Sequence, residues 1–111
     1  MDHLDHYREI IRRILSEYAT IRHHRGTTRY ETVFDREKDR YLMISTGWEG
    51  KRREHRIVIQ LDIINGKIWL QCDNTDAVIA DDLERAGVSK QEIVLGFQPP
   101  EVRPLTEYAL A

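Results

Sequence analysis

The chain has 111 residues, 41% of them apolar and 32% charged, with a formal net charge of −2. That length suits one domain, residues 1–111, around a single core, and the near-neutral balance excludes a strongly basic protein that holds nucleic acid by bulk electrostatics. One cysteine, Cys72, excludes an intramolecular disulfide; no apolar run approaches the roughly 20 residues of a membrane span, and the N-terminus is too charged for a signal peptide, so a cytoplasmic protein with no membrane partner is expected.

Charge is unevenly placed. Residues 1–56 hold 13 Lys and Arg against 10 Asp and Glu, whereas residues 57–111 hold 4 against 9, and all five histidines fall in the first half. Leu4, Tyr7, Ile11, Ile14, Tyr18 and Ile21, reinforced by Ile10 and Leu15, recur at helical spacing, so residues 3–21 are predicted as an amphipathic helix with Asp2 as its cap. The stripe covers under three heptads, which favours a helix laid on a sheet over a coiled coil.

A polar connection containing Gly26 leads to a predicted strand at Tyr30–Phe34, and Asp35–Asp39 supplies a charged turn. Two further strands follow, Tyr41–Trp48 and Arg53–Ile64, and Asn65-Gly66 is a strong signal for a two-residue type I′ hairpin. That turn sets Ile63 opposite Ile68, Leu61 opposite Leu70 and Ile59 opposite Cys72 on one face, with Asp62 opposite Trp69 and Gln60 opposite Gln71 on the other. A two-residue loop at Glu49-Gly50 would pair Leu42 with Ile57 on the first face and leave Tyr41, Met43 and Val58 on the second.

Beyond the sheet the pattern turns helical. Thr75 or Asp76 caps a predicted helix to Ala86, with Val78, Ile79, Leu83 and Ala86 inward and Gly87 at C′. Ser89-Lys90-Gln91-Glu92 reads as a capping box for a second short helix ended by Gly96 and Pro99-Pro100, and Val102, Leu105, Tyr108 and Leu110 give the tail enough apolar surface to dock. The expected class is α+β: a long N-terminal helix packed on an antiparallel meander of about four strands, then two short helices and a docked C-terminal tail.

No set of residues completes a catalytic or cofactor site. His3, His6, His23 and His24 lack a further ligand at metal spacing, so no metal is assigned. Cys72 has no basic neighbour to lower its pKa and reads as a structural thiol. Asp73 and Asp76 fit a turn and a helix start, and Asp81, Asp82 and Glu84 a solvated helix face. Lys51, Arg52, Arg53 and Arg56 form the one basic cluster and offer phosphate contacts, but Glu54 interrupts them and a charged strand end also discourages edge pairing. Tyr41, Met43, Trp48 and Trp69 are the candidate partner-binding residues, because aromatic and Met side chains on a sheet face suit a protein interface.

The order Asn65-Gly66-Lys67-Ile68-Trp69-Leu70-Gln71, Asp76 to Gly87, Ser89-Lys90-Gln91-Glu92-Ile93-Val94-Leu95-Gly96-Phe97 and Pro99-Pro100, with Gly47-Trp48 upstream and Tyr108 near the end, resembles the XisI family, the fdxN-element excision controlling factors of cyanobacteria. The resemblance covers the whole sequence. It implies a non-enzymatic accessory factor for site-specific excision of a DNA element, acting through contacts with a XisH-like partner and a recombinase that carry the catalysis. A homodimer is expected from the second sheet face, with weak or no direct nucleic-acid binding. The alternatives are a small DNA-binding module using the basic strand 51–56, or a member of a toxin-and-inhibitor type pair.

Overall fold

The computed structural model describes residues 3–21, 26–75 and 77–111. The expected cap Asp2, the histidines His23 and His24, Asp76, and the side chains of His3 and Ile21 lie outside what it describes.

Helix α1 spans His3–Ile21, the predicted range, and buries Tyr7, Ile10, Ile11, Ile14 and Leu15. It lies across a five-stranded sheet in sequence order: β1 (Arg29–Asp35), β2 (Arg40–Glu49), β3 (Arg52–Ile64), β4 (Lys67–Asp73) and β5 (Ile93–Leu95). β1 to β4 are an antiparallel meander, as expected, but β5 pairs parallel with β4. That pairing needs a crossover, and α2 (Ile79–Arg85) supplies it.

The Asn65-Gly66 turn has positive φ at both residues (51° and 80°), as a type I′ turn requires, and Ile63 faces Ile68 and Leu61 faces Leu70. Two bulges then alter the expected register. The first lies between Met43 and Ile44, where Met43 faces Ile59 and Ile44 faces Ile57, so Val58 is the extra residue. The second lies between Gln60 and Leu61, where Gln60 faces Cys72 and Leu61 faces Leu70, so Gln71 is extra. The β2–β3 loop is Gly50-Lys51, with Glu49 opposite Arg52, and Leu42 faces Gln60 instead of Ile57.

A bulge changes which side chains face inward without changing composition. Val58 is therefore buried and Ile57 is 41% exposed, the reverse of the expected assignment. Tyr41 and Met43, expected on a partner-binding face, are fully buried opposite Leu61 and Ile59 beneath α1. They are core residues, because their strand pairs with the core phase of β3.

Several expectations after β4 also need correction. Helix α2 begins at Ile79, not near Asp76, and its first amide N–H is held from a distance by Asp73 Oδ2 (3.1 Å), while Thr75 Oγ1 donates to Asp73 Oδ1 (2.6 Å). Val78, expected inward, is 56% exposed. The C-terminus behaves as expected: Gly87 N–H reaches Glu84 O (3.0 Å) and Val88 N–H reaches Leu83 O (3.0 Å), a Schellman stop with Val88 buried behind it. The second predicted helix is absent. Ser89 makes no side-chain cap, Lys90–Glu92 is a single 3-10 turn, and the β-branched Ile93 and Val94 continue as β5.

The tail docks by its backbone: Ala109 bridges Val94 and donates its N–H to Ile93 O (2.9 Å). Leu105 and Leu110, expected to anchor it, are 84% and 59% exposed. Tyr108 does the anchoring, with its hydroxyl on Glu84 (2.7 Å) and its ring under Lys90.

One charged knot joins α1 to the β1–β2 turn. Arg8 reaches Asp5 (2.6 Å) and grips both oxygens of Asp39 (2.7 and 3.0 Å), and the Tyr41 hydroxyl donates to Asp39 (2.9 Å). The Arg8 guanidinium holds the Asp39 carboxyl below its ordinary range, against the opposing effect of burial. A depressed folded-state pKa stabilises the fold above the unfolded value of about 3.9, and that stability is lost as pH falls through the folded value. Asp39→Asn keeps a side chain that tolerates the left-handed backbone at this position (φ 51°) and is expected to flatten the acid limb of stability. Urea midpoints measured from neutral pH into the acid range check this; an unchanged slope counts against it.

Candidate functional site

The sheet has a second face, and the tail covers only part of it. Over β4 and β5, Arg103 lies 5.1 Å from the Trp69 ring centroid and donates to Gln98 O (3.1 Å), and Gly96 sits so close to Gln71 and Trp69 that a Cβ there would meet Gln71 Oε1 at 2.4 Å. Trp69, a candidate partner-binding residue, is thus half-buried under its own chain.

Over β1 to β3 the face is open. The register sets Val33 beside Leu42, and Ile44 beside Ile57, in adjacent rows. Val33, Ile57 and Ile64 are exposed by 46%, 41% and 38%, Leu42 and Ile44 are half-buried, and Trp48 is 48% exposed at the hairpin end. Of the four proposed partner-binding residues, Trp48 alone remains well exposed; Val33, Ile44, Ile57 and Ile64 replace Tyr41 and Met43. Only the bulge at Val58 gives Ile57 its outward position, and nothing in the sequence marks it.

Within this apolar face lies a buried carboxylate. Asp62 is 5% exposed and accepts from Gln60 Nε2 and Gln71 Nε2 (3.3 Å each), with Arg40 Nε at 3.6 Å. An unpartnered carboxylate would be costly there, so the two amides and the guanidinium are what permit it. Its sequence signal was an acidic residue between Leu61 and Ile63, opposite Trp69.

Four other acidic residues are bound to tyrosines. Tyr7 donates to Glu92, Tyr18 to Asp82, Tyr41 to Asp39 and Tyr108 to Glu84. Burial, then the adjoining carboxylate, pushes the Tyr7 and Tyr108 hydroxyls up to about 12. Asp82 also pairs with Arg85, and Glu84 with Lys90 (3.2 Å), so Asp82 and Glu84 are engaged in side-chain ties, while Asp81 is exposed as expected of a solvated face. Among the described residues no group of three or more His, Cys, Asp or Glu side chains is placed to hold a metal. Burial and the neighbouring Asp73 raise the Cys72 thiol, whose Sγ lies 3.7 Å from Val58 O.

The basic residues sit at the exposed tip of the β2–β3 hairpin. Arg53 lies 5.3 Å from the Trp48 ring centroid and Arg56 pairs with Glu54 (3.4 Å). Alternation sends Arg52 and Arg56 to one face and Arg53 to the other, so the four cations form no single strip.

The sequence model of one family, described as XisI protein, matches residues 1–110. The chain belongs to the XisI family. A XisI-like protein from Anabaena variabilis shares 37% identity and the fold, with a TM-score of 0.92 over 97% of this chain and 99% of that one. The fdxN element excision controlling factor XisI from Anabaena variabilis shares 38% identity, with a TM-score of 0.82 over 99% of this chain and 100% of that one. No curated protein matches. The XisI relationship agrees with the resemblance seen in the sequence and with the α+β class, and the name attached to the second relative is that of a controlling factor. No helix among the described residues is long and apolar enough to cross a membrane.

Proposed function

We propose that this XisI-family protein is a non-enzymatic controlling factor for site-specific excision of a DNA element, acting through protein contacts with a XisH-like partner and a recombinase that perform the chemistry. The observation that supports this reading is the open apolar face of β1 to β3, where Val33 and Ile57 are exposed beside half-buried Leu42 and Ile44, with Trp48 and Ile64 exposed toward its two ends. Contiguous apolar surface with a polar rim is the usual mark of a protein interface, with aromatic residues enriched in it.

Direct DNA recognition is less well supported. Arg53 is over Trp48, Arg56 is paired with Glu54, and the net charge is −2. Co-expression with a XisH-like protein followed by size-exclusion chromatography tests the proposal. Co-elution is expected, lost in Ile57→Glu and kept in the double variant Arg52→Ala with Arg53→Ala. If no complex forms, while labelled duplex DNA binds at submicromolar concentration, weakens steeply with salt and is released by the double variant, the DNA-binding reading replaces this one.

A further inference from the structure

The two edges of the sheet are treated differently. At β5 the tail closes the edge through the Ala109–Val94 bridge, whereas among the described residues β1 borders β2 alone in the sheet order. β1 runs seven residues, Arg-Tyr-Glu-Thr-Val-Phe-Asp, without proline or lysine, and pairs with β2 in an unbroken register. A long, regular, bulge-free edge rich in β-formers is a template for another strand.

The geometry points to a second copy of this chain as the occupant, with β1 pairing antiparallel to the partner's β1 about a two-fold axis through Thr32. Side chains alternate between faces, so a two-fold pair that keeps the faces matched must be centred on a residue and not between residues. Three centres pair most of the strand. Centring on Glu31 sets it against the partner's Glu31. Centring on Val33 sets Glu31 against the partner's Asp35, twice. Centring on Thr32 sets Arg29 against the partner's Asp35, twice, with Glu31 against the partner's Val33 and Tyr30 against the partner's Phe34.

Like charges directly opposite destabilise a ladder, while opposite charges and aromatic pairs stabilise it, so of the three registers the one centred on Thr32 is free of opposed like charges and gains both kinds of favourable pair. Arg29 and Glu31 form an exposed pair at 2.9 Å, with side chains 69% and 45% accessible, so Arg29 has room for a second carboxylate. Such an isologous contact joins two five-stranded sheets side by side. The apolar faces of β1 to β3 then adjoin each other and remain open to the protein partner proposed above, on which this inference does not depend.

Sedimentation equilibrium of the full chain at micromolar concentration tests it, with circular dichroism confirming that each variant folds. A dimer is expected. Val33→Glu places a carboxylate opposite the partner's Glu31 at two symmetric positions and is expected to weaken association about tenfold, whereas Val33→Lys at the same exposed position holds or tightens it. Asp35→Arg alone should weaken the dimer, and adding Arg29→Asp should restore it. A monomeric wild type overturns the proposal, and so does a dimer that responds alike to the Glu and Lys substitutions at Val33.

Discussion

Gly47→Ala is expected to cost on the order of 3 kcal/mol or more, from a left-handed backbone that a side chain strains and a steric conflict that nothing flexible can relieve. Gly47 has φ +139°, and a Cβ there would lie 2.5 Å from Thr27 O and 2.6 Å from Thr28 Cα. Both obstacles are backbone. That backbone is pinned in turn, since Thr27 N–H donates to Trp48 O (2.8 Å) and Trp48 N–H to Thr27 Oγ1 (3.1 Å). Gly50→Ala is the control: φ is +61° but nothing lies within 4 Å of the added Cβ, so the loss should be about 1–2 kcal/mol. Urea denaturation of both variants measures the difference, and equal losses would show that the packing of residues 27 and 28 on β2 contributes nothing.

Leu61→Ala is expected to destabilise by about 2–5 kcal/mol, because the side chain is fully buried between α1 and the sheet and leaves a cavity. Ile57→Ala on the same strand should cost under about 1 kcal/mol, the ordinary range for a partly exposed surface position. The contrast tests the bulge at Val58 directly. Without it Ile57 and Leu61 would share a face, and the two substitutions would do similar damage. Comparable shifts in the urea midpoint would therefore refute the register.

Elements carried by local chemistry were legible in the sequence. The helix periodicity of α1, the Asn65-Gly66 turn and Gly87 at the end of α2 all act over a few residues, and each appears where its signal lies. What failed depends on partners distant in sequence. Ser89 to Glu92 has the form of a capping box, yet Glu92 is taken by Tyr7, 85 residues away, and Ile93 and Val94 fill an open place beside β4. Asp73 holds the turn it was read as, accepting the Thr75 N–H (3.2 Å), and its second oxygen also reaches the start of α2, a partner six residues on that the turn reading did not include. The candidate surface was half legible: Trp48 was singled out, but Tyr41 and Met43 belong to the core, and the residues that replace them owe their exposure to a phase change invisible in composition.

The closing of the β5 edge by Ala109 bears on how the chain assembles. β1 to β4 are joined by tight turns, so each strand meets its neighbour soon after both exist, and such local pairings form quickly. The parallel strand is different, since it needs α2 in place and then Ala109 beside it, while Glu92 must find Tyr7 on the first helix. Without residue 109 the β5 border of the sheet lacks the bridge that closes it. The short segment that follows Pro99-Pro100 thus acts as a latch, and the interval before it closes is when a neighbouring nascent chain has its best opportunity to add a strand in the wrong place.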